Sequence, residues 1–369
     1  MELVLTEEQE DLRSTVRKFL RAESPMSKVR EVVNGERDHD PALWRRLAGE
    51  LGLVGMSIPE RYDGVGAGHV DRAIVLEEMG AALLPAPYLA TVLAADTLLA
   101  TDDEAAKANL LPAIAAGQTL ATVAIAEESS RWSATDTRTI ATPDPDGWRL
   151  TGSKNLVLDG MSADVLIVLA NSPEGPALFC VAGGAAGLTR IPLTGLDPTR
   201  RFARVEFNEV SAVRLAAADP VAVLERITDL AALAIAAESV GVLRETLTVA
   251  VEYAKVRVQF GRYIGSYQAV KHLCVDSYVD YELAFSVLRN AAWAADHDPA
   301  EFPLAVAHAR VCVLPAAFRA AARNIEVHGG IGYTWEHDAH LYYKRAKSNE
   351  LLLGNGNSAR VALAERLGI

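Results

Sequence analysis

The chain has 369 residues, of which half are apolar and 23% are charged, and its formal net charge is −12 at pH 7. This composition excludes an intrinsically disordered protein, and the acidic surplus without any run of Lys or Arg excludes an ordinary nucleic-acid binder. Because single hydrophobic cores stop growing at roughly 250 to 300 residues, the length predicts two or three domains.

The sequence also bears on redox state and location. Cys180, Cys274 and Cys312 lie in apolar stretches without the spacing of a metal site or a disulfide framework, which predicts buried, reduced thiols and no bound metal. No basic and then apolar segment opens the chain, so no export signal is predicted. The most apolar stretches, 81–100 and 230–243, are interrupted by proline or charged residues. We therefore expect a cytoplasmic protein without membrane insertion.

The first third of the chain carries helical signals. Two helix starts are marked by N-capping patterns, Thr6 with Gln9 and Asp40 with Pro41. Two further segments have helical periodicity, at 70–82 and 90–116. Residues 1–118 are predicted to form an N-terminal all-α domain.

The pattern of apolar residues changes near residue 119. Five short segments read as strands between clusters of Gly and Pro. They are 120–125, 148–151, 165–169, 177–181 and 203–210. They predict a middle β-barrel-like domain over residues 119–219.

Long helical periods return after Pro220, with short connections between them. They cover 221–258, 266–295, 300–328 and 336–353. Helices of this length bury their apolar stripes against each other, which predicts a C-terminal four-helix bundle over 220–369. The predicted fold class is α+β multidomain, in the order helical domain, β-domain, helical bundle.

Two segments of the last domain carry the strongest functional signal. One is Arg257-Val258-Gln259-Phe260-Gly261, and the other is Glu326-Val327-His328-Gly329-Gly330-Ile331-Gly332-Tyr333. An arginine can donate bidentate hydrogen bonds to a pyrophosphate, and adjacent glycines let backbone N–H groups approach phosphate oxygens. The alternative interpretations are a surface Arg with a core Phe, and a pair of glycines that ends a helix.

Together these two segments resemble the acyl-CoA dehydrogenase family, in which they clamp FAD across a subunit interface. Three N-terminal segments are also typical of that family, so the resemblance covers the whole chain. They are Leu5-Thr6-Glu7-Glu8-Gln9, Ile58-Pro59-Glu60-Arg61-Tyr62 and Leu76-Glu77-Glu78-Met79-Gly80. The resemblance implies FAD as cofactor, acyl-CoA as substrate, and a related acyl-CoA dehydrogenase subunit or a second copy as partner. An electron-transferring flavoprotein is a candidate electron acceptor.

Position by position, the resemblance assigns FAD contacts to nine residues of this chain. They are Arg257, Phe260, Tyr267, Gln268, Glu326, Gly329, Gly330, Asn355 and Asn357. Each of Tyr267, Gln268, Asn355 and Asn357 can also be read as a plain capping or turn residue. Glu326 stands where the family usually has Gln, so a negative charge lies near the expected pyrophosphate.

The family's catalytic carboxylate is missing. In the family, a glutamate removes the α-proton of the acyl thioester, and it stands at one of two positions. Here these positions are Leu353 and Ala231, and neither side chain accepts a proton. Glu238 lies two helical turns beyond Ala231 and is a further candidate base, with a structural ion pair to a bundle arginine as the alternative.

The expected flavin-ring pocket departs from the family as well. The family's Gly-Ser-Asp stretch is replaced within Ala126-Glu127-Glu128-Ser129-Ser130-Arg131-Trp132, and its Trp-x-Thr strand is replaced by Leu156-Val157-Leu158. The segments that reach a neighbouring subunit's FAD are kept, whereas those that build the chain's own ring pocket are lost. This asymmetry is what a non-catalytic subunit would show.

The preferred hypothesis is therefore a subunit of a heteromeric, FAD-dependent acyl-CoA dehydrogenase that desaturates an acyl-CoA thioester. Two-gene enzymes of this kind are known in the family, notably in the actinobacterial breakdown of steroid side chains, and a fatty acyl-CoA is the other substrate class. One alternative is a flavin-free scaffold or acyl-CoA-binding protein. The other is a self-sufficient homomeric dehydrogenase that uses a relocated acid such as Glu238.

Overall fold

The computed structural model describes residues 4–129, 131–354 and 356–369, which form an N-terminal helical part, a β-domain and a C-terminal bundle. The predicted fold class is confirmed. The N-terminal helices are α1 (Glu7–Glu23), α2 (Met26–Asn34), α3 (Pro41–Gly49), α4 (His69–Ala81), α5 (Tyr88–Ala100) and α6 (Glu104–Ala115).

The two predicted helix starts are confirmed, and one predicted helix is divided. The Thr6 hydroxyl accepts from the N–H of Gln9 at 3.3 Å while the Gln9 side chain accepts from the N–H of Thr6 at 3.2 Å. The single helix expected over 90–116 is two helices, because Asp103 caps a new start by accepting from the N–H of Ala106 at 2.9 Å. Helix α2 was not predicted.

The β-domain is a barrel. Its strands are β1 (Ala121–Ala124), β2 (Ile140–Asp144), β3 (Gly147–Leu158), β4 (Val165–Ser172), β5 (Gly175–Ala182), β6 (Leu188–Leu193) and β7 (Phe202–Arg214). Two of the strand pairings, β2 with β4 and β5 with β7, extend over only one or two residue pairs. The order β4-β2-β3-β7-β5 returns to β4, and β1 pairs with β4 in parallel. The predicted barrel-like character is confirmed, although the exposed strands β2 and β6 were missed because few of their residues are buried.

The C-terminal part is built on long helices. They are α7 (Pro220–Val256), α8 (Gln268–His297), α9 (Phe302–His328), α10 (Ala339–Leu351) and α11 (Gly356–Leu367). Helices α7, α8 and α9 pack on one another, and α10 and α11 cover α9. The hairpin strands β8 (Val258–Gln259) and β9 (Arg262–Tyr263) connect α7 to α8.

One segment of this bundle, Phe302–Tyr333, has the length and apolarity of a membrane span, but more than half of its most apolar window is buried inside the fold. Burial against α7 and α8 accounts for its composition. The three cysteines are free, yet only Cys180 and Cys274 are partly buried. Cys312 is exposed on α9, so the prediction of a buried thiol was wrong at that position.

Helices α4 and α7 cross at two glycines. An added Cβ at Gly80 would lie 2.1 Å from the carbonyl oxygen of Glu238, and one at Gly241 would lie 1.8 Å from that of Glu77. Only glycine allows backbones to approach this closely. This crossing attaches the N-terminal helices to the bundle.

The same crossing buries two adjacent carboxylates, which explains the Leu76-Glu77-Glu78-Met79-Gly80 motif. Glu77 accepts from Arg289 at 2.9 Å, and Glu78 accepts from Arg17 at 2.9 Å and from Arg244 at 2.8 Å. Burial raises the pKa of Glu77, whereas for Glu78 the hydrogen bonds from arginines outweigh the effect of burial and lower the pKa. Pairing with these arginines offsets the free-energy cost of burying the two carboxylates.

We expect Gly241→Ala to destabilise the protein by about 3 kcal/mol or to prevent folding, because overpacking a tight backbone contact forces the two helices apart. Gly49→Ala is the control, since an added Cβ there meets nothing within 4 Å. Urea unfolding of the two variants measures the difference. Equal unfolding midpoints would show that the crossing is not rigid.

Candidate functional site

Four of the predicted FAD-contact residues lie on or beside the β8–β9 hairpin. Phe260 and Gly261 form its two-residue loop, with φ values of +53° and +77°, as a type I′ turn requires. Phe260 is 91% exposed at the tip. A phenylalanine held in the left-handed region and fully in solvent costs stability without any gain from packing, which points to a binding role.

The other hairpin residues hold its shape. The Tyr267 hydroxyl donates to the carbonyl of Gln259 at 3.1 Å, and the Arg262 guanidinium lies 3.9 Å from the centre of the Tyr267 ring. The carbonyl of Arg257 accepts from the N–H of Ile264 at 2.8 Å, which anchors the backbone at Arg257. The side chain of Arg257 is exposed. Gln268 is exposed and begins α8.

The glycine turn lies at the end of α9. An added Cβ at Gly329 or Gly330 meets nothing within 4 Å, so open space lies above both residues. The N–H of Gly329 donates to the carbonyls of Ile325 and Glu326, so it is already used within the helix end. Any N–H group offered to a phosphate therefore comes from beyond Gly329. The side chain of Glu326 is exposed.

A small apolar cluster brings the hairpin and the glycine turn together. It contains Ala250 and Ala254 of α7, Ile264 of the hairpin connection and Val327 of α9, with Tyr267 packed against it. His328 is buried, stacks on the Tyr253 ring at 4.3 Å and hydrogen-bonds the Asn324 carbonyl at 2.8 Å. The structure thus places Arg257, Phe260, Gly329 and Gly330 at one end of the bundle.

Of the last two predicted contacts, only Asn357 lies within the described residues, and it is far from the hairpin along the chain. Asn355 falls outside the described residues, and Asn357 is exposed on α11, where it accepts from Arg360 at 3.4 Å. The preceding turn is fixed by Arg310 of α9, which donates to the carbonyls of Leu353 and Gly354. Arg310 is 18 residues before His328, so the two groups of contacts are about 27 Å apart along α9. No sequence motif marked Arg310.

Both positions of the family's base are apolar and buried. Leu353 is 8% exposed and Ala231 is fully buried, and both belong to the main hydrophobic core together with Leu158. Asp229 is two residues from Ala231, but its carboxylate accepts from Arg366 of α11 at 2.6 Å. Burial raises the pKa of Asp229 against the opposing effect of Arg366.

Glu238 is held in a buried ion-pair network that joins the β-domain to the bundle. Its carboxylate accepts from Arg200, which lies between β6 and β7, and is 3.9 Å from Arg345 of α10. Arg200 also donates to Asn349 at 2.7 Å, and Arg345 donates to Asp197 at 2.6 Å. Glu238 therefore forms a structural ion pair, as expected. Its direct partner, however, is Arg200 of the β-domain and not an arginine of the bundle. Sequence spacing gave no sign of Arg200.

Asp159 lies next to this network. Burial raises its pKa to about 7, and the positive charges of Arg200 and Arg345 only partly offset that effect. For Asp197, the charges of Arg345 and Arg200 outweigh burial and lower its pKa. The network therefore contains two arginines balanced by Asp197 and Glu238, and an additional carboxylate is disfavoured there.

The largest cavity described, of 820 Å³, lies on the β-domain beside the altered segment 126–132. Three arginines line it, but each is within 4 Å of a carboxylate of the same cavity. The pairs are Arg131 with Asp136, Arg138 with Glu128, and Arg204 with Glu206. The cavity therefore offers an anionic ligand little net positive charge.

Glu127, at the edge of that cavity, is fully engaged inside the fold. Its carboxylate accepts from the buried ammonium group of Lys154 at 2.7 Å and from the N–H of Thr139 at 3.0 Å. Burial alone would raise the pKa of Glu127, but these hydrogen bonds lower it. The pKa of Lys154 is lowered to about 8, mainly by burial. Within the described ranges, no group of three or more His, Cys, Asp or Glu side chains is placed to hold a metal ion.

Comparison with known proteins agrees with this architecture. The sequence profile of "Acyl-CoA dehydrogenase, N-terminal domain" matches residues 6–118, and that of "Acyl-CoA dehydrogenase, C-terminal domain" matches residues 221–368. The chain is 35% identical over 350 residues to the acyl-CoA dehydrogenase IpdE2 of Mycobacterium tuberculosis, covering 94% of this chain and 93% of that protein. The chain belongs to the acyl-CoA dehydrogenase family.

Two solved structures are similar over nearly the whole chain. One is a variant of the Tcur3481-Tcur3483 steroid ACAD, with a TM-score of 0.89, 30% identity and 98% of both chains covered. The other is the ChsE4-ChsE5 complex from Mycobacterium tuberculosis, with a TM-score of 0.90, 30% identity and coverage of 100% of this chain and 99% of that chain. Membership of this family identifies the chain as an oxidoreductase-type protein for acyl-CoA, with FAD as the cofactor.

The described residues fit FAD unevenly. The hairpin and the glycine turn present an exposed arginine, an exposed aromatic ring and open space over glycines, which suits a dinucleotide. Leu158, Ala231 and Leu353, by contrast, are buried apolar members of the main hydrophobic core. Among the described residues, the hairpin and the glycine turn could therefore hold a dinucleotide, whereas neither expected base position carries a carboxylate.

We expect Glu238→Gln to destabilise the protein by roughly 3 kcal/mol, because it leaves the buried Arg200 without its compensating charge. Glu252→Gln is the control on the same helix, since Glu252 makes an exposed pair with Lys255 and its loss costs under about 1 kcal/mol. Chemical denaturation measures both effects. Unchanged stability together with abolished acyl-CoA oxidation would instead identify Glu238 as a catalytic base.

Proposed function

We propose that this chain is the non-catalytic subunit of a heteromeric, FAD-dependent acyl-CoA dehydrogenase. A related subunit supplies the catalytic glutamate and the flavin-ring pocket, and this chain supplies Arg257, Phe260 and the Gly329-Gly330 turn to the same FAD. The observation that carries the proposal is hydrocarbon at both base positions, Leu353 and Ala231, inside the main core.

The distances within the chain support a shared site. Arg257 follows the end of α7, 26 residues beyond Ala231, so the hairpin lies about 39 Å along that helix from one base position. The glycine turn lies about 27 Å along α9 from Arg310, which holds the turn at Leu353. The hairpin therefore cannot contact a flavin ring placed at the chain's own base positions. Its contacts serve a site that another chain completes.

Each retained side chain has a defined task in this proposal. Arg257 donates charge-assisted hydrogen bonds to the pyrophosphate, and Phe260 lies against an apolar face of the cofactor. FAD, when bound, accepts the hydride from the β-carbon of the acyl thioester. The proton at the α-carbon leaves to the partner's glutamate, because the described part of this chain places no carboxylate at either base position.

The relatives support the partner and the substrate class. Two solved structures with 30% identity are of proteins named as pairs of components, and one of them is described as a steroid ACAD. We infer a related acyl-CoA dehydrogenase subunit as partner and a steroid side-chain or fatty acyl-CoA as substrate. A cytoplasmic location and transfer of electrons to an electron-transferring flavoprotein stay predictions of the sequence.

The ion pairs of Glu238 argue against a self-sufficient enzyme. A base must accept a proton from the substrate, whereas this carboxylate is bound to Arg200 and faces Arg345. The flavin-free scaffold differs from the main proposal in one measurable property, which is flavin content.

The deciding experiment is co-expression with an acyl-CoA dehydrogenase-type chain from the same genome that has a glutamate immediately before the glycine of its C-terminal turn. We expect a stable complex with bound FAD that oxidises acyl-CoA, and an isolated chain that has neither full FAD nor activity. Visible absorbance and acyl-CoA-dependent flavin bleaching measure both. Full FAD and turnover by the isolated chain would contradict the proposal, and a colourless complex would favour the scaffold.

Arg257→Gln should lower the affinity of that complex for FAD by about tenfold or more, because a charge-assisted hydrogen bond contributes roughly 1.5 to 3 kcal/mol. Arg204→Gln is the charge-matched control, since Arg204 is on the barrel and pairs with Glu206 at 2.9 Å. Titration of the apo-complex with FAD, followed by flavin fluorescence, measures the difference. Equal FAD affinity in the two variants would remove Arg257 from the site.

A further inference from the structure

Arginines surround the two buried carboxylates of α4 at the place where α1, α7 and α8 reach that helix. They are Arg13, Arg17, Arg244 and Arg289. Glu77 accepts from Arg289 at 2.9 Å and from Arg13 at 3.2 Å. Glu78 accepts from Arg17 at 2.9 Å and from Arg244 at 2.8 Å. We call these four arginines and two glutamates the arginine cluster.

Positive charge is in excess inside the arginine cluster, because four guanidinium groups share two buried carboxylates. Two further acids lie around it. Glu10 is 3.5 Å from Arg13, but its side chain is 57% exposed, so water screens most of its effect. Glu245 is half-buried and forms no ion pair within 4 Å among the described residues. A buried charge without a compensating partner is strongly destabilising, so the cluster calls for additional negative charge.

Hydrogen-bond donors are also in excess, most clearly on Arg289. This residue is 4% exposed, and its Nη2 group donates to Glu77, but its Nε and Nη1 groups are buried without an acceptor among the described residues. The Nε group of Arg13 is buried without an acceptor as well. Because buried polar groups in folded proteins almost always have a partner, these donors indicate a bound ligand.

The free donors belong to neighbouring side chains. Arg13 and Arg289 donate to the two oxygens of the same carboxylate, that of Glu77, so their guanidinium groups lie beside each other. The guanidinium carbon of Arg289 is 4.8 Å from the centre of the Phe285 ring, and that of Arg13 is 5.8 Å from it. The ring thus forms an apolar wall next to both groups.

The charge of the ligand follows from what it must supply. A water molecule would accept hydrogen bonds from the free donors but would leave the excess positive charge in place. An anion supplies both the acceptor and the charge, and hydrogen bonds between ionised groups are the stronger ones. Burial lowers the pKa of Arg289 although Glu77 opposes that effect, which agrees with incomplete compensation of the charge.

We propose that a small monovalent anion of the size of chloride binds between Arg13 and Arg289 and accepts hydrogen bonds from their free Nε and Nη1 groups. A single-atom anion fits because Arg289 is almost fully buried and Phe285 closes one side. The anion ties α1 to α4 and α8. The site is independent of the proposed function, since the arginine cluster contains neither a predicted FAD contact nor an expected base position.

The chloride dependence of stability provides the first test. Thermal unfolding of the full chain is measured at constant ionic strength while sodium chloride replaces sodium gluconate, whose anion is too large for the site. We expect the unfolding temperature to rise and then to saturate, by about 2 °C at a chloride concentration tenfold above the dissociation constant, because the anion binds only the folded state.

Two variants on α8 separate this site from general salt effects. Arg289→Met should lose the chloride-dependent rise, whereas Lys271→Met removes an exposed charge of the same helix and should keep it. An unaltered chain without saturable chloride dependence would overturn the proposal. The same chloride dependence in Arg289→Met as in the unaltered chain would overturn it too.

Direct observation of the ion provides the second test and needs no variant, so it decides the question even where Arg289→Met does not fold. Crystals of the full chain or of its complex are grown in sodium bromide, and anomalous diffraction locates the bromide. We expect a bromide peak in hydrogen-bond contact with the guanidinium groups of Arg13 and Arg289. A peak there without anomalous signal identifies water and overturns the anion, as does bromide at exposed surface positions only. Either result leaves the proposed function intact.

Discussion

The length of α7 is the constraint on which the functional organisation depends. This one helix carries Ala231, one of the two expected base positions, near its start, Gly241 at the crossing with α4, and the hairpin proposed to contact FAD at its end. A helix is rigid over this distance, so the ends cannot approach one another. In the proposed complex, the hairpin therefore serves a cofactor other than one beside this chain's own base position. A subunit can lose one site and keep the other, because different ends of the same helix carry them.

Buried charge shows how the interior near the expected base positions is built. In the interior near Ala231, ionised groups are paired with arginines that come from three different parts of the chain: Arg200 from the β-domain, Arg345 from α10 and Arg366 from α11. A buried carboxylate that is hydrogen-bonded to arginine is fixed in position, which suits a structural role. A base has opposite requirements, since it must meet the substrate and change its protonation state during turnover. Here the buried glutamate Glu238 instead connects the β-domain to the bundle, through its ion pair with Arg200.

Sequence reasoning recovered the parts of the fold that have a local physical cause. The helix starts at Thr6 and Asp40 were predictable because capping side chains act on N–H groups two or three residues away. The long bundle helices were predictable from their apolar period. Strand β2 was not, because most of its residues are exposed and it contains Pro143. The pairing of Arg200 with Glu238 was beyond reach as well, because 38 residues and a change of domain separate the two.

For the candidate site, the sequence predicted which residues could contact FAD, but not that these residues lie in two separate parts of the fold. The resemblance assigns both Arg257 and Asn357 to the cofactor contacts, yet the fold places Arg257 after the end of α7 and Asn357 on α11, in separate groups. The use of the Gly329 N–H within the helix end could not be read from the glycine pair either, since both a helix end and a phosphate site favour glycine.

Under the proposed function, apolar residues at the two expected base positions have a physical advantage. An unpaired carboxylate at position 353 or 231 would be buried among apolar side chains, which costs free energy unless an open substrate pocket hydrates it. Leucine and alanine at these positions replace that cost with apolar contacts, and Arg310 fixes the turn by binding backbone carbonyls. Catalytic residues are commonly kept although they lower stability. In the proposed complex a partner performs the proton transfer, so nothing opposes this gain in stability, and the hairpin remains exposed at the other end of α7.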